Sequence, residues 1–284
     1  GKTVIRFVSW QTNHAAANEK VAEAYEALHP DVDVQFEYIG DMNSNDYMTT
    51  VDIMIMGGEP MDIVMTSGFP QHAQRADSGA YLDLDPYFEA EGTTFEDSYN
   101  STFRVNGGVY GIAGEMKYNL VLINKDLLDK AGLPVPSLEW TWDDYKAYAE
   151  AMTEGEGASK VYGSFFYTWG NQSLLGVSGV KKGTLYFKDD HTPIFDLPAF
   201  SDFLQYRKSL EDEGVSTPIA DIKALNMNYR DQFFRGQIAM LPMGTFMLSD
   251  IGNEKYSPEF VTTFARIPMW NSDDPHYNVA DGTF

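Results

Sequence analysis

The 284-residue sequence predicts an α/β fold with parallel strands and crossover helices. Two observations carry this. The first 68 residues alternate strand and helix patterns in the order β-α-β-α-β, which calls for parallel pairing through crossovers. Apolar residues make up 43% of the chain, enough for a substantial core, with no tract of disordered composition. In order, "TVIRFVSW" (3–10) is β-rich and short. Ala17, Val21, Ala24, Tyr25 and Leu28 then recur at helical spacing up to Pro30. "VDVQFEYIG" (32–40) alternates with period two, residues 44–56 read as a helix stopped by "GGEP", and "MDIVMTSG" (61–68) reads as a short buried strand. Ligands of such sheets bind outside the carboxyl ends of the strands. Those ends are Trp10-Gln11-Thr12-Asn13, Gly40-Asp41-Met42-Asn43 and Thr66-Ser67-Gly68.

Near residue 110 the pattern changes. Gly107 and Gly108 suit a hairpin turn. After "LVLIN" the α/β pattern resumes: "KDLLDKAG" is a helix with a Gly stop, and Thr141-x-x-Asp144 opens a second helix with a capping pattern. "VYGSFFYTWGN" (161–171) reads as an aromatic strand running into a polar turn. Helices are expected over 198–213 and 226–235, and strands over 236–248, ending on Gly244, and 260–270. A second domain therefore starts near 112.

Composition removes several functions. Lys and Arg number 20 against 42 Asp and Glu, a net charge of −22, which repels phosphate backbones and anionic lipid. With no cysteine there is no disulfide, thiolate nucleophile or Cys-ligated zinc. No apolar run reaches the roughly 18 residues of a membrane span. No G-x-S-x-G, H-E-x-x-H or glycine-rich phosphate loop occurs, and nothing calls for a cofactor. The 5 histidines (14, 29, 72, 191, 276) have no metal-ligand spacing and read as surface or capping residues. Asp83 and Asp85 in "LDLDP" read as a solvated strand edge rather than a metal pair.

Aromatic residues, 14% of the chain, fall repeatedly at strand ends: Trp10, Tyr38, Tyr118, Trp169, Phe246 and Trp270. An aromatic ring stacks on the apolar face of a sugar, and Asp, Asn, Gln and Lys satisfy its hydroxyls. For any one ring, core packing is the competing reading. Glu115 alone is a weak catalytic candidate, because glycoside hydrolysis needs two carboxyls across the bond.

The sequence resembles the bacterial extracellular solute-binding proteins of ABC importers, in the sugar-binding branch that includes maltose-binding protein. "VIRFVSW" with "YEALHPDVDVQFEYIG" resembles the family's first unit. "MGGEPMDIVMTSG", "GGVYGIAGEMKYNLVLINKDLLDKAGL", "TWDDYKAYAEAMT" and "FRGQIAMLPMGTFML" resemble four further family segments, in the family's order. The resemblance implies a two-lobe periplasmic-binding-protein-like fold of class II type, with lobe one at 1–111 joined by 265–284 and lobe two at 112–264. The lobes would close on a solute, with the first crossing at "YGIAG" and a second near 261–267. It also implies a protein outside the cytoplasm, periplasmic or a surface lipoprotein after leader removal, that hands its solute to membrane permease subunits.

Strand ends and matching segments together give an expected ligand-binding set. From the first part come Trp10, Gln11, Asn13, Asp62, Thr66 and Ser67. Glu115, Lys117 and Tyr118 come from the first crossing. Trp169, Asn171, Gly244 and Phe246 come from the second lobe, and Asp281 from the end of the chain. Trp10, Asn13, Thr66, Glu115, Tyr118, Trp169 and Phe246 are expected on one concave surface. Phe246 stands where the family usually places a Trp, which keeps a ring and loses the indole N–H. The sequence stops at "VADGTF", where the family continues, so a missing C-terminal part and uncovered apolar surface are expected, with aggregation or dimerisation of the chain on its own. No catalytic or metal residue is expected. An oligosaccharide leads as ligand. The alternatives are a polyol phosphate, with Lys117 its main cation, a polyamine drawn to Asp41, Asp62 and Glu115, or a carbohydrate-active hydrolase using Glu115.

Overall fold

A computed structural model describes residues 1–40, 43–99, 104–177, 192–253, 255–256, 258–272, 274 and 280–283, with backbone alone at 194 and 280–283. Asp41, His191 and His276 lie outside the described residues. The chain divides into two compact units: Gly1–Met116 with Asp281–Phe284, and Lys117–Ala280.

The first unit opens with β1 (Thr3–Ser9), α1 (Ala15–Leu28), β2 (Val32–Tyr38), α2 (Ser44–Gly57) and β3 (Ile63–Val64). The strands form a parallel sheet in the order β2-β1-β3, as the β-α-β-α-β reading requires. The Asn43 side chain caps α2 by accepting from the Asn45 and Asp46 N–H groups, and Gly58 ends the helix in the left-handed region at φ 67°. Val8, Trp10, Tyr47, Met48 and Val51 make a small core, pinned by the Tyr47 hydroxyl donating to the Val8 carbonyl at 2.8 Å.

Three helices absent from the sequence reading follow: α3 (Phe69–Asp77), α4 (Asp85–Ala90) and α5 (Phe95–Ser98). Arg75 of α3 is buried and reaches α2 with a two-pronged bond to Asp52, Nε to Oδ1 at 2.9 Å and Nη2 to Oδ2 at 2.8 Å. "LDLDP" is not a strand edge. Asp83 accepts the Asp85 N–H, Asp85 begins α4, and its carboxylate takes Arg104 Nη1 at 2.8 Å, so both acids serve a helix start. The hairpin turn is centred on Asn106 and Gly107, with φ of 50° and 90°, between bridged Val105 and Gly108.

The apolar stripe of α1 faces outward. Val21 and Leu28 are 65% and 79% exposed, Ala17, Ala24 and Tyr25 are exposed too, and the helix buries only Ala22. Helical spacing located the stripe correctly; nothing among the described residues covers it.

β4 (Glu115–Asn124) carries the chain into the second unit. There follow α6 (Lys125–Lys130), α7 (Trp142–Met152), β5 (Tyr162–Ser164), α8 (Pro198–Asp212), α9 (Ile219–Ala224), α10 (Tyr229–Phe234), β6 (Ile238–Gly244), α11 (Leu248–Ile251) and β7 (Thr262–Arg266), and then β8 (Ala280–Thr283), which from Asp281 on belongs to the first unit. The sheet order is β5-β6-β4-β7, with β8 also pairing β4. It is mixed: β4 runs antiparallel to β6 and β7, and β5 parallel to β6. The Thr141–Asp144 capping box forms as the sequence predicts. The aromatic stretch at 161–171 is strand only over Tyr162–Ser164, and Gly170–Val177 winds into 3₁₀ turns.

The second boundary differs from the expected 261–267. β7 pairs with β4 from Leu120↔Arg266 to Asn124↔Thr262, Ile267 is part of the second unit's core, and Met269 is buried with its N–H donating to the Trp140 carbonyl. That burial holds the segment in the second unit, and the division falls after Ala280.

Two predictions follow from these interiors. His72 is 1% exposed beside the Tyr81 ring, and burial pushes its pKa down to about 4. The unfolded chain, near the ordinary pKa of about 6.5, then binds a proton that the folded chain lacks between those values. Stability is expected to fall as pH drops through that window, by at most about 3 kcal/mol from this group. Urea unfolding across the window should show a shallower pH dependence for His72→Phe than for the natural chain. On α1, Val21→Ser and Leu28→Ser should each change stability by less than about 0.5 kcal/mol, whereas Ala22→Leu should cost about 1–3 kcal/mol by overpacking. Denaturant midpoints check both.

Candidate functional site

In the first unit, the carboxyl end of β1 leads into a short 3₁₀ turn, Thr12–His14. Gln11 is buried there, and its Nε2 donates to Glu115 Oε2 at 3.1 Å while its Oε1 has no hydrogen-bond partner. Glu115 Oε1 lies 3.2 Å from His14 Nδ1. Glu115 is thus a held acceptor with two neighbours from the β1 end. Asn13 is exposed on the same turn.

Trp10 points inward against Tyr47, with ring centroids 5.1 Å apart, and is only 5% exposed. Thr66 is buried and shares a 2.8 Å hydrogen bond with the Tyr81 hydroxyl; Ser67 is half-buried beside it in sequence. Asp62 precedes β3, at the opposite end from the strand carboxyl termini, and its Oδ2 accepts the Arg6 N–H at 2.8 Å. That bond gives it a sheet-edge role.

In the second unit, successive β4 side chains alternate, so Lys117 and Tyr118 fall on opposite faces. Tyr118 is 50% exposed, and its N–H donates to Thr245 Oγ1 at 3.2 Å. Asn119 pairs with Gly244 across β4 and β6. Gly244 has a steric reason to be glycine: a Cβ there would meet Phe246 Cε1 at 2.6 Å and Cδ1 at 2.7 Å. The ring lies on the bare backbone.

Phe246 belongs to an aromatic group. Trp169 lies 6.1 Å from Phe246 and 5.2 Å from Tyr229, and Tyr167 packs edge-on against Trp169 at 5.1 Å and Tyr229 at 4.8 Å. Tyr167, Trp169 and Phe246 are half-buried and Tyr229 is buried, so part of the ring surface is open to solvent. Arg230 lies over Tyr229 at 4.8 Å and over Phe246 at 5.5 Å, with Nε donating to Asp250 Oδ2 at 2.7 Å and Nη1 donating to the Tyr229 hydroxyl. Burial works against this charge, yet Tyr229 and Asp250 hold its pKa above the usual arginine value. Two residues after Trp169, Asn171 Oδ1 is buried without a hydrogen-bond partner.

Of the expected residues, the structure brings together Gln11 with Glu115 in one unit, and Trp169 with Gly244 and Phe246 in the other. Asp281 lies in β8, described by its backbone alone. Sequence reasoning passed over Tyr167, Tyr229, Arg230, Asp250 and the pairing of His14. Tyr167 had a signal, standing two residues before Trp169. Arg230 and Asp250 lie 20 residues apart with no motif linking them.

Residues 9–284 match the family of bacterial extracellular solute-binding proteins, and the chain belongs to that family. A putative binding protein of Brucella abortus is 25% identical over 258 residues, 88% of this chain; the chain spans 59% of that relative's length. Among solved structures, an ABC substrate-binding protein of Listeria monocytogenes in complex with cycloalternan is similar with a TM-score of 0.77 and 23% identity, covering 100% of this chain and 71% of that one. UgpB of Mycobacterium tuberculosis in complex with glycerophosphocholine gives a TM-score of 0.78 and 18% identity, covering 100% and 69%. These two likenesses establish the periplasmic-binding-protein-like fold that the sequence implied. No helix among the described residues is long and apolar enough to cross a membrane.

The Gly244 contact can be tested directly. Gly244→Ala forces the Phe246 ring to move and is expected to cost about 1–3 kcal/mol, the range for overpacking. Gly114→Ala, where a Cβ meets nothing within 4 Å, is the control and should cost less than about 0.5 kcal/mol. Thermal melts of the two variants give the comparison.

Proposed function

We propose that this chain is the solute-capturing part of an extracytoplasmic binding protein, that its solute is a neutral oligosaccharide, and that it delivers the solute to the permease of an ABC importer without making or breaking a bond. The observation that carries the reading is the half-open ring group of Tyr167, Trp169 and Phe246 backed by Tyr229. Flat apolar faces with polar groups nearby match the two sides of a pyranose ring. Tyr118, on the face of β4 that Leu120 and Leu122 share with the rings, and Asn171 are the hydrogen-bonding groups proposed for that unit. The cycloalternan carried by the Listeria relative supports a saccharide.

A second reading takes its motive from the glycerophosphocholine in the mycobacterial structure, because rings at 5–6 Å spacing also suit a quaternary ammonium. Arg230 argues against it. A cation already stacks on Tyr229 and Phe246, and Asp250 neutralises it, so the ring group attracts neither a second cation nor a phosphate. A hydrolytic reading is disfavoured by Glu115 itself, whose two oxygens face Gln11 and His14.

Isothermal titration against neutral oligosaccharides, polyol phosphates and polyamines tests the proposal. A neutral oligosaccharide is expected to bind, and Trp169→Ala should weaken it by about 1–3 kcal/mol, on the scale of losing a large aromatic anchor. Binding of a polyamine or phosphodiester instead, or an affinity indifferent to Trp169→Ala, overturns the reading.

A further inference from the structure

Three arginines of the described chain are largely buried, and two of them have a carboxylate. Arg75 is bonded by Asp52, Gln71 and the Met48 carbonyl, and Arg230 by Asp250. Arg207 is the third. It stands between Phe203 and Leu210 on the inward face of α8 and is 6% exposed. Its guanidinium lies over the Phe166 ring at 5.0 Å, and Nη1 makes one long hydrogen bond, 3.3 Å, to Ser173 Oγ. Among the described residues no carboxylate lies within ion-pair distance of it. Desolvation pushes its pKa down, with Glu211 on the same helix and Tyr145 acting the other way from a distance.

The neighbouring residue adds a second, independent oddity. Gln172 precedes Ser173 in the same 3₁₀ segment, is fully buried, and neither atom of its amide has a hydrogen-bond partner. Buried polar groups are nearly always satisfied, and a buried guanidinium without a counter-charge is costly. Gln172 breaks the first rule and Arg207 the second, and Ser173, next to Gln172 in sequence, is the residue that Arg207 bonds. The free groups are mainly donors: the remaining guanidinium N–H groups, the Ser173 hydroxyl proton and the Gln172 amide N–H₂.

We propose that Arg207, with Ser173 and Gln172, forms an oxyanion site inside the second unit, taking a carboxylate or a sulfate- or phosphate-type anion on the guanidinium fork. This site is separate from the aromatic group. Phe165, Tyr167 and Trp169 pack toward Tyr229 and Phe246, whereas Phe166, under Arg207, packs toward Trp142 and Phe203. The anion supplies the counter-charge that every other buried arginine described here receives from a side chain. The solute reading above does not depend on it.

Thermal melts with sodium acetate, sulfate or phosphate, each against chloride at equal ionic strength, test the site on the natural chain, Arg207→Met and Ser173→Ala. A saturating rise in melting temperature with one oxyanion is expected. It should vanish in Arg207→Met and need a several-fold higher anion concentration in Ser173→Ala. A shift of equal size in Arg207→Met, or one that grows without saturating, overturns the proposal, because it reports general salt effects. A natural chain indifferent to all three anions, with Arg207→Met strongly destabilised, also overturns it and assigns the counter-charge to a carboxylate of the chain itself. If Arg207→Met does not fold, the natural chain and Ser173→Ala decide on the same criterion.

Discussion

The second unit depends on one strand buried on both sides. From Asn119 to Asn124, every residue of β4 is buried, and the side chains alternate between two interiors. Val121 and Ile123 enter the core of Trp140, Trp142, Tyr145 and Phe203; Leu120 and Leu122 enter the core of Phe165, Tyr229, Phe233 and Met243. β6 and β7 pair with it on either edge. A strand in that position has no solvated face, so its sequence reads as a continuous apolar run, and helices must cover both sides. A charge at any of these positions would meet a packed core, whereas the first residues of β4, Glu115 to Tyr118, alternate between half-buried and exposed. The charged residues of β4, Glu115 and Lys117, are therefore confined to the place where the strand leaves the core.

The two interiors have different consequences. One continues into the half-open rings of Trp169 and Phe246, where Gly244 lets the ring lie on backbone and Arg230 is stacked behind and neutralised by Asp250. The other is closed by large aromatic contacts, Trp142 with Phe203 at 4.8 Å and Tyr206 bonded to the Trp142 carbonyl at 2.6 Å, and into it α8 inserts Arg207. The parity of 165–169 decides which residue belongs to which side. A single-residue shift in that stretch would carry Trp169 into the closed core and Phe166 into the open one.

Much of this was legible. Period-two and helical spacings locate β1, α1, β2 and α2, and Thr141 with Asp144 announces α7. Trp169, Gly244 and Phe246 were picked from segment positions and do meet. What escaped was long-range. Spacing gives α1 an apolar face but cannot say whether anything covers it, and Val21 and Leu28 stand exposed. The short helices α3 to α5 carry too few turns for a periodic signal. The second boundary was misplaced because β7 reads as any strand, and only its pairing with β4 ties it to the second unit. Trp10 looked like a strand-end ring and is core, held by Tyr47 from 37 residues away in a contact that no local pattern encodes.

The central claim is that the open aromatic face of the second unit receives the solute. Two-dimensional NMR of the indole N–H groups, assigned by single Trp→Phe variants, tests it most directly during titration with neutral oligosaccharides. The account predicts that a binding sugar moves the Trp169 signal and leaves Trp140 and Trp142, buried in the opposite core, in place. A sugar that binds while Trp169 stays still, or that moves Trp140 or Trp142 instead, would contradict it.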